Sequence, residues 1–245
     1  MALYFISDLH LQASHPKMIE GFLALVSRLK QPESDAEALY ILGDFFEIWI
    51  GDDYEDAIVK HIKQSLSALS DSGVAVFFMH GNRDFLMGNR FAEECGGKLI
   101  DEGTVLTNGA QQVLLAHGDH LCTRDVEYMK LRQMIRNPEW QAGFLAKSIP
   151  ERIEFAQHVR GESKGENSMK SNDIMDVTPE EVDKAMTAAN VDLLIHGHTH
   201  RPKVHDWIHE GQARQRIVLG DWSDEDGWLI RWEKGESPDL QHFTF

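Results

Sequence analysis

Residues 3–10 read Leu3-Tyr4-Phe5-Ile6-Ser7-Asp8-Leu9-His10, an apolar run followed at once by a carboxylate and an imidazole. A short run rich in aromatic and branched residues predicts a buried strand. The same arrangement recurs four times. Residues 38–42 lead into Gly43-Asp44, 74–79 into Gly81-Asn82-Arg83-Asp84, 113–116 into His117-Gly118-Asp119, and 191–195 into His196-Gly197-His198-Thr199-His200. Helix-period stretches at 17–29 and 55–70 separate the first strands, so the expected class is α/β with a largely parallel sheet. Ligands of open α/β sheets bind beyond the carboxyl ends of the strands. Five successive strand ends would therefore deliver Asp, His and Asn side chains to one rim.

The rest of the chain frames that rim. It has 245 residues, 42% hydrophobic and 26% charged, with a formal net charge of −16. This is enough chain for one large domain with its own core. The acidic balance argues against a non-specific nucleic-acid binder or nuclease, since phosphate contacts need clustered Lys and Arg. Cys95 and Cys122 form neither a disulfide framework nor a CxxC metal motif, which fits a reducing compartment. No run approaches the length of a membrane span, and the first residues lack the basic start of a secretory signal. The expected location is cytoplasmic.

Residues 121–171 break the strand pattern. Tyr128, Leu131, Met134, Ile135, Phe144, Leu145, Ile149, Ile153 and Phe155 recur at helical spacing, which predicts a helical insertion within a 1–245 domain. The insertion carries a net +2 against −18 for the remainder, concentrating the field that favours an anion on one segment. Its apolar positions are a hairpin's own core, a slot for an apolar ligand, or both. Strand signals return at 216–219, 228–232 and 240–245, read as antiparallel strands closing the chain.

Carboxylate, amide and imidazole without thiolate suit hard or borderline divalent metals. Asp8-x-His10, Gly43-Asp44, Gly81-Asn82-Arg83-Asp84, His117-Gly118-Asp119 and Gly197-His198-Thr199-His200, in this order, resemble the calcineurin-like metallophosphoesterases. The resemblance implies an α/β/β/α sandwich holding two metal ions. Asp8, His10, Asp44 and His200 would bind one, and Asp44, Asn82, His117 and His198 the other, with Asp44 shared. Two such ions activate water and clamp a phosphoryl oxygen. By ligand type Mn²⁺ suits the site, and Fe²⁺, Co²⁺ or Zn²⁺ also fit. Many relatives carry His after the motif Asn, where this chain has Arg83. Arginine grips phosphate but does not donate its proton near neutral pH. A leaving group that is itself a phosphate needs no such proton, so a pyrophosphate bond is the expected target.

A narrower similarity, to the UDP-2,3-diacylglucosamine hydrolases of lipid A biosynthesis, runs from Tyr40 through Glu47 and Trp49 to Asp53. It continues through His80–Phe85, Leu121-Cys122-Thr123, Ser163-Lys164, Asn167, Lys170 and the stretch ending at Pro202. It implies a hydrolase with two Mn²⁺ ions that cleaves UDP-2,3-diacylglucosamine to UMP and 2,3-diacylglucosamine 1-phosphate, by attack of water on the α-phosphorus. Asn82, Arg83 and His198 would be catalytic. Asn82, Arg83, Asp125, Ser163, Asn167, Lys170 and His198 would contact substrate, and the insertion would form a lid receiving the acyl chains. It also implies peripheral association with the cytoplasmic face of the inner membrane; no nucleic-acid or protein partner is inferred. The alternative is a dimetal phosphoesterase acting on another nucleotide polyphosphate or a phosphoprotein. Asp84 is expected to orient Arg83 or a neighbouring ligand, His196 to point away from the metals, and His120 to be either a supporting or an exposed residue.

Overall fold

Tyr4 and Ile6 of β1 (Ala2–Ile6) turn into one apolar cluster, while Leu3 and Phe5 turn into another. Successive side chains of a strand point to opposite faces, so β1 is buried on both. The same holds for β2 (Ala36–Leu42), which pairs parallel to it, and for β3 (Ala75–Met79), which pairs parallel to β2. That is why these runs read as almost continuously apolar. The register places Phe5 beside Tyr40 and Tyr40 beside Phe77, and their rings stack at 5.0 and 4.7 Å.

The computed structural model describes the backbone of residues 1–167 and 176–245, and the side chains of 1–159 and 176–245. The first sheet has the order β11-β10-β1-β2-β3-β4, with β4 at Lys98–Leu99, β10 at Asp226–Glu233 and β11 at Asp239–Thr244. The second has the order β5-β6-β7-β9-β8. Its strands are β5 (Thr104–Asn108), β6 (Gln111–Leu115), β7 (Leu193–His196), β8 (Lys203–His209) and β9 (Gln212–Val218). Leu3, Phe5 and Leu42 of the first sheet share a core with Val113, Leu115, Ile195 and Ile217 of the second, so the two sheets pack face to face.

Helices cover the outer faces. On the first sheet lie α1 (Pro16–Leu29), α2 (Ala57–Asp71) and α3 (Asn89–Glu94), burying Phe22, Leu25, Ile62, Leu66 and Phe91. Asp56 starts α2 by accepting a hydrogen bond from the Val59 amide, satisfying one of the helix's orphan donors. On the second sheet lies α7 (Pro179–Ala189), with Val182 and Met186 against Leu114 and Leu194. The architecture is an α/β/β/α sandwich. Along the chain, α4 (Val126–Ile135), α5 (Pro138–Leu145) and α6 (Ile149–Asn167) come between β6 and α7.

Two expectations need correction. The run at 216–219 belongs to β9, which is parallel to β7 in the second sheet and is not part of an antiparallel group with β10 and β11. The largely parallel sheet is in fact two sheets, the first antiparallel at one edge and the second antiparallel at both edges with a parallel middle.

Candidate metal centre and cavity

The loops after β1, β2, β6 and β7, with the Gly81–Asp84 turn after β3, meet at one end of the sandwich and are stitched to one another. The amides of Asp8 and His10 donate to the carbonyls of Gly43 and Asp44 at 3.1 and 2.9 Å. The Gly197 amide donates to the His117 carbonyl, and the Asp8 carboxylate accepts from the His198 amide at 2.9 Å. Asp84, fully buried, accepts from the amides of Gly81 and Phe45 at 2.7 Å and of Asp44 at 3.3 Å. It therefore shapes the turn that presents Asp44, and the backbone of Arg83 is held instead by the Asp44 carboxylate, at 2.8 Å.

The turns are sharp. Asp8, His10, Asp44, His198 and His200 all have left-handed backbones, with φ between 48° and 66°. Among the described residues, the other non-glycine positions of this kind are Asn190, which caps α7, and Glu210 in a turn. Such a conformation costs roughly 1–2 kcal/mol per residue and clusters where structure overrides local preference. Gly43 adds to the crowding: its φ is 90°, and a Cβ there would lie 2.5 Å from the His117 Nδ1.

Two groups of ligand atoms result. In Asp8, His10 and His200, and again in Asp44, His117 and His198, the candidate atoms lie within 4.8 Å of one another. Asp44 faces both groups, with one carboxylate oxygen 3.8 Å from His10 Nε2 and the other 3.7 Å from His117 Nε2. The Asn82 side-chain oxygen lies 3.0 Å from His117 Nε2 and 2.9 Å from His198 Nδ1. All seven residues expected from the sequence are thus brought together. Three imidazoles are tied at the nitrogen away from the centre: His117 Nδ1 is 3.0 Å from the Leu42 carbonyl, His10 Nδ1 2.9 Å from Glu47, and His200 Nδ1 3.4 Å from Asp221. Such partners orient a ligating His and raise its basicity.

The electrostatics ask for cations. Burial opposes the charged form of His117, yet Asp44, Asp8, Asp119 and Glu102 outweigh it and lift the imidazole to about 9. His200 is likewise raised to about 10, burial being overcome by Asp221 and Asp8. His198 is lowered to about 4, by burial and then by His117. Burial raises Asp44, while Asp8, despite its burial, is held well below the carboxylate range by His200. Oxygen and nitrogen donors, aimed inward and bearing excess negative charge, fit divalent metal ions.

Beside the centre lies a cavity of about 690 Å³. Asn82, Arg83, His198, His200 and Arg201 line its polar wall. Leu131, Met134, Trp140, Phe144 and Phe155 of the α4–α6 segment line its apolar wall, together with Trp49 and Phe85. Asp125 lines it too, and one of its carboxylate oxygens caps α4 by accepting from the Tyr128 amide at 3.1 Å. The expected contacts Ser163, Asn167 and Lys170 lie outside the described side chains.

Other residues had no motif to reveal them. Tyr128 donates to the buried Asp119 at 2.5 Å and lays its ring over His198, and Arg132 joins Asp119 to Glu102. Arg152, almost fully buried, donates to Asp53 and to the Ile50 carbonyl, and Arg136 to the Gly81 carbonyl at 3.0 Å. These residues tie the α4–α6 segment to the loops of the centre. His196 is buried away from it, 2.8 Å from its neighbouring Gly197 carbonyl and 3.4 Å from Arg216. His120 sits on Glu102 at 2.8 Å, partly exposed.

Comparison with known proteins agrees with this geometry. Residues 1–202 match the model of the family described as Calcineurin-like phosphoesterase. The chain is similar to the UDP-2,3-diacylglucosamine hydrolase of Chromohalobacter salexigens, 49% identical over 100% of this chain and 98% of that one. It is similar to the proteins of that name from Cellvibrio japonicus and Pseudomonas entomophila, at 49% and 48% identity over 94% of each chain.

Proposed function

The chain belongs to the calcineurin-like phosphoesterases and, within them, to the UDP-2,3-diacylglucosamine hydrolases, and from that premise we propose that it cleaves the pyrophosphate of UDP-2,3-diacylglucosamine. Water adds its oxygen to the α-phosphorus, and the bond from that phosphorus to the bridging oxygen breaks. Its electron pair leaves on 2,3-diacylglucosamine 1-phosphate, UMP is the other product, and two protons are released once both monoesters are dianionic. The observation that carries this reading is the junction of two ligand groups with a cavity whose far wall is apolar.

Asp8, His10, Asp44 and His200 are assigned to one Mn²⁺ ion, and Asp44, Asn82, His117 and His198 to a second. When bound, the two cations supply the charge that acidifies water and holds a phosphoryl oxygen. The protein's part is positional. Glu47, Asp221 and the Leu42 carbonyl fix three imidazoles, leaving Nε2 turned to the centre. Arg83, on the cavity wall, meets the departing phosphate with planar donors. That phosphate carries its own negative charge, so no general acid is required. Asp125, with Ser163, Asn167 and Lys170, is assigned to the glucosamine phosphate.

The α4–α6 segment is assigned as an insertion that acts as lid and acyl wall, each buried CH₂ contributing about 0.8 kcal/mol. Among the described residues no helix is long and apolar enough to cross a membrane. Val126, Met134, Leu145 and Phe155 are nonetheless exposed on the segment, which supports peripheral contact with the inner membrane by its apolar and basic surface. Flotation with anionic liposomes tests that contact, and absence from the lipid fraction refutes it. The reaction is tested by phosphorus NMR of UDP-diacylglucosamine turnover with Mn²⁺ in ¹⁸O water. The label is expected in UMP. Label in the sugar phosphate, or no turnover, overturns the assignment.

A further inference from the structure

We propose that Arg201, steadied by Asp176, forms with Thr199 the subsite that holds the nucleoside monophosphate half of the substrate. This rests on the function proposed above, which accounts for the lipid half and leaves the nucleotide half without protein contacts.

The two flanks of the centre differ. The His117 side chain is fully buried and the Tyr128 ring lies over His198, so that flank is roofed by α4. The His10 and His200 side chains, in contrast, are 15% and 38% exposed. In-line displacement puts the leaving oxygen opposite the incoming one, and the two arms of a pyrophosphate diester then diverge from the reacting phosphorus. With the lipid arm in the apolar part of the cavity, the nucleoside arm has the open flank. Arg201, next in sequence to the exposed His200 and 37% exposed itself, lines the cavity with Thr199 and His200.

Their chemistry suits a nucleotide. The Arg201 guanidinium rests 3.1 Å from one oxygen of Asp176, whose other oxygen lies 3.7 Å from Arg216. Asp176 thus holds two guanidiniums in register beside the cavity. On the other side, the nearby Asp221 is turned to His200 Nδ1. The Thr199 hydroxyl is shielded from solvent, with no hydrogen-bond partner among the described residues. A guanidinium offers planar donors only, matching the phosphate, ribose and uracil oxygens of UMP and offering nothing to an acyl chain.

The test is equilibrium binding of each product to the manganese-loaded protein by calorimetry, with metal content and melting temperature recorded for every variant. Arg201→Ala is expected to weaken UMP roughly tenfold, the scale of one charge-assisted hydrogen bond. The affinity for 2,3-diacylglucosamine 1-phosphate should change less than twofold. Arg201→Lys should recover part of the loss, and Asp176→Asn, which weakens one brace of the guanidinium without removing it, should weaken UMP by a smaller factor. Unchanged UMP binding in Arg201→Ala overturns the proposal. So does an equal loss for both products, which would make Arg201 a brace for the loop. A wild-type protein that binds UMP through Arg201 yet fails to hydrolyse UDP-diacylglucosamine would refute the function and leave the subsite standing.

Discussion

The ring of Tyr128 lies over the imidazole of His198, centroids 6.0 Å apart, while its hydroxyl donates to the buried carboxylate of Asp119. Asp119 is two residues beyond His117, so one tyrosine of the α4–α6 segment braces two loops of the centre. Arg132 shares the load, with Nε 2.8 Å from Asp119. Tyr128→Phe should keep the stacking and cost about 1–2 kcal/mol, because Asp119 retains Arg132. Arg132→Ala should cost about 3 kcal/mol, since it takes a hydrogen-bonded guanidinium from a buried carboxylate. Urea midpoints of the two variants check the order, and a larger loss in Tyr128→Phe would show that the hydroxyl carries the brace.

Asp44 faces both ligand groups, whereas His117 and His200 each face one. Replacing the shared residue should therefore differ from replacing a private one. Asp44→Asn is expected to remove most of both Mn²⁺ ions, and His117→Ala or His200→Ala mainly one, as read by elemental analysis after dialysis. Activity should fall by several orders of magnitude in all three. Retention of two ions per chain in Asp44→Asn would refute the shared position.

The raised His117 and His200 give the metal-free protein a defined pH response. Both groups titrate above the ordinary histidine value of about 6.5, at about 9 and about 10. The stability they contribute is complete below about 6.5 and is lost as pH rises through those folded values. Protein stripped with a chelator should thus melt at falling temperature between pH 7 and 10. Cations must displace the same protons, so Mn²⁺ affinity should rise over that range and binding should release protons. Melting curves of the stripped protein, and calorimetry in two buffers of different ionisation enthalpy, measure both effects. A melting temperature that climbs from pH 7 to 9.5 would contradict the sign.

How far the sequence revealed this molecule followed from burial. β1, β2, β3, β6 and β7 were legible because both their faces are buried, so each reads as a short apolar run ending at a motif. β5 and β8 were missed because they lie at sheet edges with alternating exposure, and Thr104–Asn108 and Lys203–His209 accordingly mix polar and apolar residues. α7 was missed because only Val182 and Met186 are fully buried along its eleven residues. The seven ligand candidates could be read since each follows a strand. Glu47 and Asp221 act through His10 and His200 from separate parts of the chain, and carboxylates of that kind look like surface charge until the fold places them. Of the five ligand candidates with left-handed backbones, only Asp44 and His198 have a glycine beside them, so at Asp8, His10 and His200 the turn left no trace in the sequence.

Trp140, Phe144 and Phe155 pack together in the apolar wall, with Trp140 and Phe144 stacked 5.2 Å apart and nearly parallel and Phe155 edge-on to Phe144 at 5.3 Å. Their burial separates packing from binding. Phe144 is buried in the core shared with the first sheet, whereas Phe155 is 37% exposed at the cavity. Phe144→Ala should destabilise the fold by about 3 kcal/mol, as a truncated core aromatic does. Phe155→Ala should cost far less stability and should raise KM for the diacylated substrate severalfold, because it removes wall area from the acyl slot. A soluble analogue lacking both acyl chains distinguishes the two roles: its kcat/KM should change less than twofold in Phe155→Ala. Equal losses on both substrates would mean that Phe155 only holds the helices together, and the acyl chains would then need another wall.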